Sequence, residues 1–204
     1  VYLPGKDVLR VSDGIWIEPK YLEVTNAENL FSLQGKLIIG LSSKTTAVVE
    51  NIITEPVNQD IVHKIFITNI SPKGGDFFVG ERIVEEIYKD DQAVVDKSPI
   101  IMGSLDTIEI YNSGVDFNIG DILKIAFRDV ETGELISFGR EGYLKVISLF
   151  RGFGSLNFNL VNGGFGFTQN SNILIYKNLG DTTGQGAGFN IKLADTQNLV
   201  YNTD

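Results

Sequence analysis

Among 204 residues one is a histidine and none is a cysteine. Any Ser-His-Asp mechanism would have to use His63, and a Cys-His mechanism has no thiol. His63 follows Val62 at the start of an alternating apolar stretch with no Gly-x-Ser-x-Gly turn near it, and it reads as a surface or strand-end histidine. Composition excludes a zinc site made of several histidines or thiolates. The remaining acid-base groups are carboxylates: Glu81, Glu85, Glu86, Asp90 and Asp91 in one region, Asp116 and Asp121 in another. Glycoside hydrolysis needs two such groups held close together in a cleft, whereas charge-rich segments are ordinarily solvated turns. Asp181 to Gln185 offers acid and backbone oxygens of the kind calcium takes, without the EF-hand spacing. No catalytic residue, cofactor-binding residue or metal ligand is assigned, and the chain is expected not to be an enzyme.

Two glycine-rich stretches, Gly163-Gly164-Phe165-Gly166 and Gly180 to Gly188, lack the Gly-Lys-Ser/Thr end by which a phosphate loop is recognised. They read as tight turns between strands. Arg151 to Phe158 fits most of an RNP1 pattern and Ile65 to Ile70 looks like its RNP2 partner. Ser155 replaces a base-stacking aromatic, however, and Arg151 lies 86 residues after Ile65, too far for one RNA-recognition domain. A net charge of −9 also opposes phosphate, because affinity for nucleic acid comes from Lys and Arg releasing counterions. Nucleic acid is therefore not expected as a partner. Membrane insertion is not expected either, since no apolar run reaches the roughly 18 residues of a membrane helix and the N-terminus has no signal-peptide layout.

The elements that would hold these residues are short strands. Twenty-two glycines against five prolines, with 13 phenylalanines and seven tyrosines, favour pleated segments joined by turns. One pattern recurs: an alternating strand, an asparagine, a glycine turn and a phenylalanine. It is written as Leu156 to Asn162 with Phe167, and as Ile108, Ile110, Asn112, Gly114 and Phe117. It recurs as Ile65, Ile67, Asn69, Gly75 and Phe78, and more loosely as Leu22, Val24, Asn26 and Phe31. The asparagines stand 43, 43 and 50 residues apart, a modular period. Asparagine suits the turn that ends the strand, glycine lets the backbone double back, and phenylalanine plugs the turn onto the core.

The expected fold is all-β, an array of small three-stranded antiparallel repeats that can pair into two packed β domains. Residues 1–20 form N-terminal strands around the Asp13-Gly14 hairpin signal. Repeat 1 covers 21–58, with strands at Tyr21 to Thr25, Gly35 to Ile39 and Ala47 to Ile52. Repeat 2 covers 64–103, with strands at Lys64 to Thr68, Gly80 to Ile87 and Ala93 to Val95. Repeat 3 covers 106–150, with a turn at Asp129 to Gly133, and repeat 4 covers 156–198, with a loop from Leu179 to Gly188. Residues 199–204 read as the start of a further unit, in a chain cut from a longer polypeptide. A three-stranded unit buries too little alone, so neighbouring units or subunits should cover its apolar face.

Val161-Asn162-Gly163-Gly164-Phe165-Gly166-Phe167-Thr168, followed by an apolar strand and then Thr183 to Ile191, resembles the NGGxGYT and GxGAxAxxxV repeats of structural proteins in tailed bacteriophages. Phe31 to Leu37 with Ala47-Val48-Val49 is similar to the related pattern of an F-x-x-G-x-x-I strand answered by an A-x-V strand. The resemblance implies a non-catalytic virion component of the tail, baseplate or fibre, a rigid scaffold and docking surface assembled in the host cytoplasm. Its partners would be other virion proteins and further copies of itself, joined through exposed strand edges. The alternative is a receptor- or carbohydrate-binding adhesin module, in which Trp16, Tyr111 or Phe153 would stack on a host surface glycan.

Overall fold

The computed structural model describes residues 2–3, 6–10, 16–17, 20–57, 60–128, 135–137, 142–150, 155–167, 172–176, 184–197 and 199–200. The described chain is all-β and its named strands pair antiparallel. In order the strands are β1 Tyr2–Leu3, β2 Lys6–Arg10, β3 Trp16–Ile17, β4 Lys20–Val24, β5 Leu37–Gly40, β6 Thr46–Val57, β7 Asp60–Ser71, β8 Phe77–Phe78 and β9 Ile83–Glu85. Next come β10 Leu105–Val115, β11 Ile122–Arg128, β12 Leu135–Ser137, β13 Tyr143–Phe150, β14 Ser155–Asn162 and β15 Asn172–Tyr176. The last are β16 Gln185–Leu193, β17 Thr196–Gln197 and β18 Leu199–Val200. They fall into two compact units: residues 1–102 with 195–204, and residues 103–194.

In the first unit β18, β4, β7, β6, β5 and β9 form one six-stranded sheet, and β1, β2 and β3 a three-stranded one. The strands read as repeats 1 and 2 thus interleave, with β4 against β7 so that Leu22 faces Ile65. Alternation puts Leu22, Val24, Ile65 and Ile67 into a common core with Ile38, Val49 and Phe77. β6 and β7 are each 12 residues long, well beyond the spans read from sequence, because each strand extends the other's ladder from Thr46↔Ser71 out to Val57↔Asp60.

Several local readings are corrected. Ala93 to Val95 is helical, not strand: it lies in α1, Gln92–Val95, whose N-cap Asp91 accepts a hydrogen bond from the Ala93 N–H at 3.1 Å. Phe78 does not plug its turn; Phe77 is fully buried and Phe78 faces outward, since neighbouring strand positions point to opposite sides. Phe31 is likewise exposed, and Leu30 and Leu33 of a 3₁₀ turn, Leu30–Leu33, take its place in the core. The loop read over Leu179 to Gly188 ends early, as β16 already begins at Gln185 and pairs with Val115. Leu199 and Val200, read as the start of a further unit, pair with Tyr21 and Lys20 of β4. The turn read at Asp129 to Gly133 lies outside the described residues.

In the second unit β11 is central, pairing with β12, β13 and β15, and β14 lies beyond β13. The β10–β16 pair packs over this sheet: Ile108, Ala187 and Phe189 meet Phe117, Leu144, Val146 and Phe158. Phe158 makes edge-to-face contacts with Phe117 at 5.5 Å and Phe189 at 5.1 Å between ring centroids.

Candidate functional site

His63 and several of the named carboxylates are each held by particular partners. His63 is neither at the surface nor at a strand end: it is buried within β7, opposite Thr54 on β6, with Thr54 Oγ1 and His63 Nδ1 2.9 Å apart. The Phe31 ring stands edge-on to it. Burial holds the imidazole below its ordinary pKa, because desolvation disfavours the charged form. No serine or cysteine is bonded to it in the described contacts; its partner is a threonine hydroxyl.

Glu81 is the most enclosed of the named carboxylates at 5% exposure. Its Oε2 accepts from the Ser42 and Ser43 N–H groups at 2.8 and 2.9 Å, and its Oε1 from Ser43 Oγ and the Phe78 N–H, both at 2.7 Å. The three serine bonds tie the Ser42-Ser43 turn to the segment before β9, and the fourth holds the end of β8. Gly40 must be glycine beside it, since a methyl there would strike the Glu81 and Ser43 side chains. Glu85 pairs with Lys36, Glu86 with Lys89, and Asp91 caps α1. Asp121 accepts from the Asn118 N–H at 2.8 Å, closing the turn before β11. Among the described residues no group of three His, Asp or Glu side chains converges to hold a metal.

The described aromatics of the RNP-like segments pack inside the fold. Phe66 is buried and packs its ring on Tyr21 at 5.7 Å, and Phe158 sits between two other phenylalanines. Arg151 to Gly154 lie outside the described residues, as do Phe153 and the calcium-type positions Asp181 to Thr183. Of the aromatics considered for stacking on sugars, only the Tyr111 side chain is described. It is 70% exposed and lies over Gly188, where a Cβ would come within 2.5 Å of its ring. On the same strand pair Glu109 stands opposite Asn190, both exposed.

Two features had no reading from sequence. An open groove of about 620 Å³ in the first unit is lined by Thr25, Glu28, Arg82 and Lys97 among others. The Arg82 guanidinium is already committed there to the Ser98 and Asp96 carbonyls, at 2.7 and 3.3 Å, and Lys97 to Glu28 at 2.9 Å. The second feature is the exposed face of β11 and β13, where Ile122, Lys124, Lys145 and Ile147 alternate with core residues. Its available signal was a lysine between apolar neighbours, Leu123-Lys124-Ile125 and Leu144-Lys145-Val146. Among the described residues no helix is long and apolar enough to cross a membrane. Compared with known protein families, curated proteins and solved structures, the chain matches none.

Proposed function

We propose that the chain is a non-catalytic structural component of a tailed-phage particle, part of its tail, baseplate or fibre, serving as a rigid β scaffold and docking surface. One observation carries the reading: the motif behind the resemblance is a repeated physical device. Asn112 and Asn162 each bond the N–H of a glycine two residues on, each of those glycines has positive φ, and a buried phenylalanine follows three residues later. The polar groups with chemical potential also support a scaffold, since Glu81, Asp91, Asp121 and Arg82 all close turns or cap backbone. The test is immunogold labelling, with antibody to the purified chain, of phage particles from the cells that make it. Label at a fixed place on the tail supports the reading; chain found only free in the lysate overturns it.

A second reading, glycan binding, is favoured by Tyr111, whose exposed ring rests on glycine backbone and leaves a surface on which a sugar can stack. Binding on a glycan array that disappears in Tyr111→Ala would favour this reading.

A further inference from the structure

The outer face of β11, β13 and β14 differs from the rest of this acidic chain. Leu123, Leu144 and Val146 point into the core, so Ile122, Lys124, Lys145 and Ile147 point out. Ile122 lies opposite Lys145, and the exposed Ile147 sits where the β13–β14 ladder shifts register between Val146 and Ser148. The turn beside it is fixed by the Gly120 N–H donating to the Val146 carbonyl at 2.8 Å, and its Ile119 is 65% exposed. Neighbouring β14 contributes exposed Asn157 and Asn159. Among the described residues this face joins aliphatic carbon to two lysines and carries no carboxylate at its outward positions.

The stretch from Glu85 to Asp96 is its chemical complement. It holds five acids against one lysine, and in it Ile87, 69% exposed, and Tyr88 stand out beside Glu86, Asp90 and Asp91. We propose that these two surfaces join separate copies of the chain: Ile87 and Tyr88 of one copy dock on Ile122 and Ile147 of another, with the acids against Lys124 and Lys145. Apolar burial drives the contact. Opposite charges select it, because most other pairings of two chains at −9 bring like charges together. Each copy carries both surfaces, so the contact joins copies in reciprocal pairs or head to tail. This follows from the chain's own surface and does not depend on where in a cell or particle it is found.

The experiment is sedimentation velocity on the purified full chain across micromolar concentrations, at low and high salt. The expected result is an average mass that rises with concentration and falls with salt, since screening weakens exposed charge pairs. The double reversal Lys124→Glu with Lys145→Glu should weaken association about tenfold or more, and so should Glu86→Lys with Asp90→Lys. Mixed together, the two variants should associate again, because each supplies the charge that the other now needs. Lys124, Lys145 and Asp90 are exposed and Glu86 is half-buried, and circular dichroism checks that the variants stay folded. A single mass at every concentration, association indifferent to both reversals, or no recovery on mixing would each overturn the proposal.

Discussion

The Asn162 side-chain oxygen accepts a hydrogen bond from the Gly164 N–H at 2.9 Å, and Asn112 binds Gly114 in the same way at 3.1 Å. Fifty residues apart in sequence, the two turns share one geometry, with Gly164 at φ 63° and Gly114 at φ 66°. The phenylalanine three residues after each glycine, Phe167 and Phe117, is buried. Local chemistry therefore sets the turn, and packing of the aromatic holds it in place.

Gly114→Ala should destabilise much more than Gly120→Ala. Both glycines have positive φ, which costs an alanine about 1 kcal/mol, but a methyl at Gly114 would also drive into the Gln185 carbonyl oxygen, while one at Gly120 meets open space. Urea unfolding of the two variants measures the difference. Equal losses would show that β16 moves aside freely.

Glu81→Gln should cost roughly 2–3 kcal/mol, the scale for leaving buried donors without an acceptor. Both carboxylate oxygens accept from backbone N–H groups, so an amide nitrogen in either position opposes a donor. Glu81→Ala should lose at least as much. Denaturant melts would show it, and amide exchange at Ser42, Ser43 and Phe78 should rise in both variants.

Stability should fall as pH drops below about 6.5, the ordinary histidine pKa. Because burial depresses the His63 pKa in the folded chain, the unfolded chain takes up a proton first, and folding loses free energy until the folded imidazole also titrates. Above that range the contribution is complete. His63→Gln should flatten this part of the profile, read as the difference in urea midpoint between about pH 8 and about pH 5.5 for both proteins. A parallel slope in the variant would assign the loss to carboxylates.

Phe158→Ala should cost about 3–5 kcal/mol, since the ring joins Phe117 and Phe189 edge-to-face inside the second unit. Phe158→Leu should cost less, keeping volume and losing only the ring geometry. Thermal unfolding ranks the pair. The ranking would fail if Phe117 and Phe189 closed the gap left by alanine.

What could be read from the chain was whatever depends on near neighbours. The all-β class, the strands Ile122 to Phe127 and Leu156 to Asn162, and the Asn-Gly-Phe turns rest on period-two alternation and on the backbone preferences of asparagine and glycine, both of which act over a few residues. At Phe77 and Phe78 two adjacent identical residues gave no local basis for choosing which one is buried; pairing of β8 with Gln197 and Thr196 made the choice. At Ala93 to Val95 a strand-like composition yielded to the Asp91 cap. The four-bond seat of Glu81, the pairing of β18 with β4 and the lysine-bearing face of β11 and β13 depend on segments tens of residues apart coming together. Such juxtapositions are set by how sheets share a core, and only the folded chain specifies them.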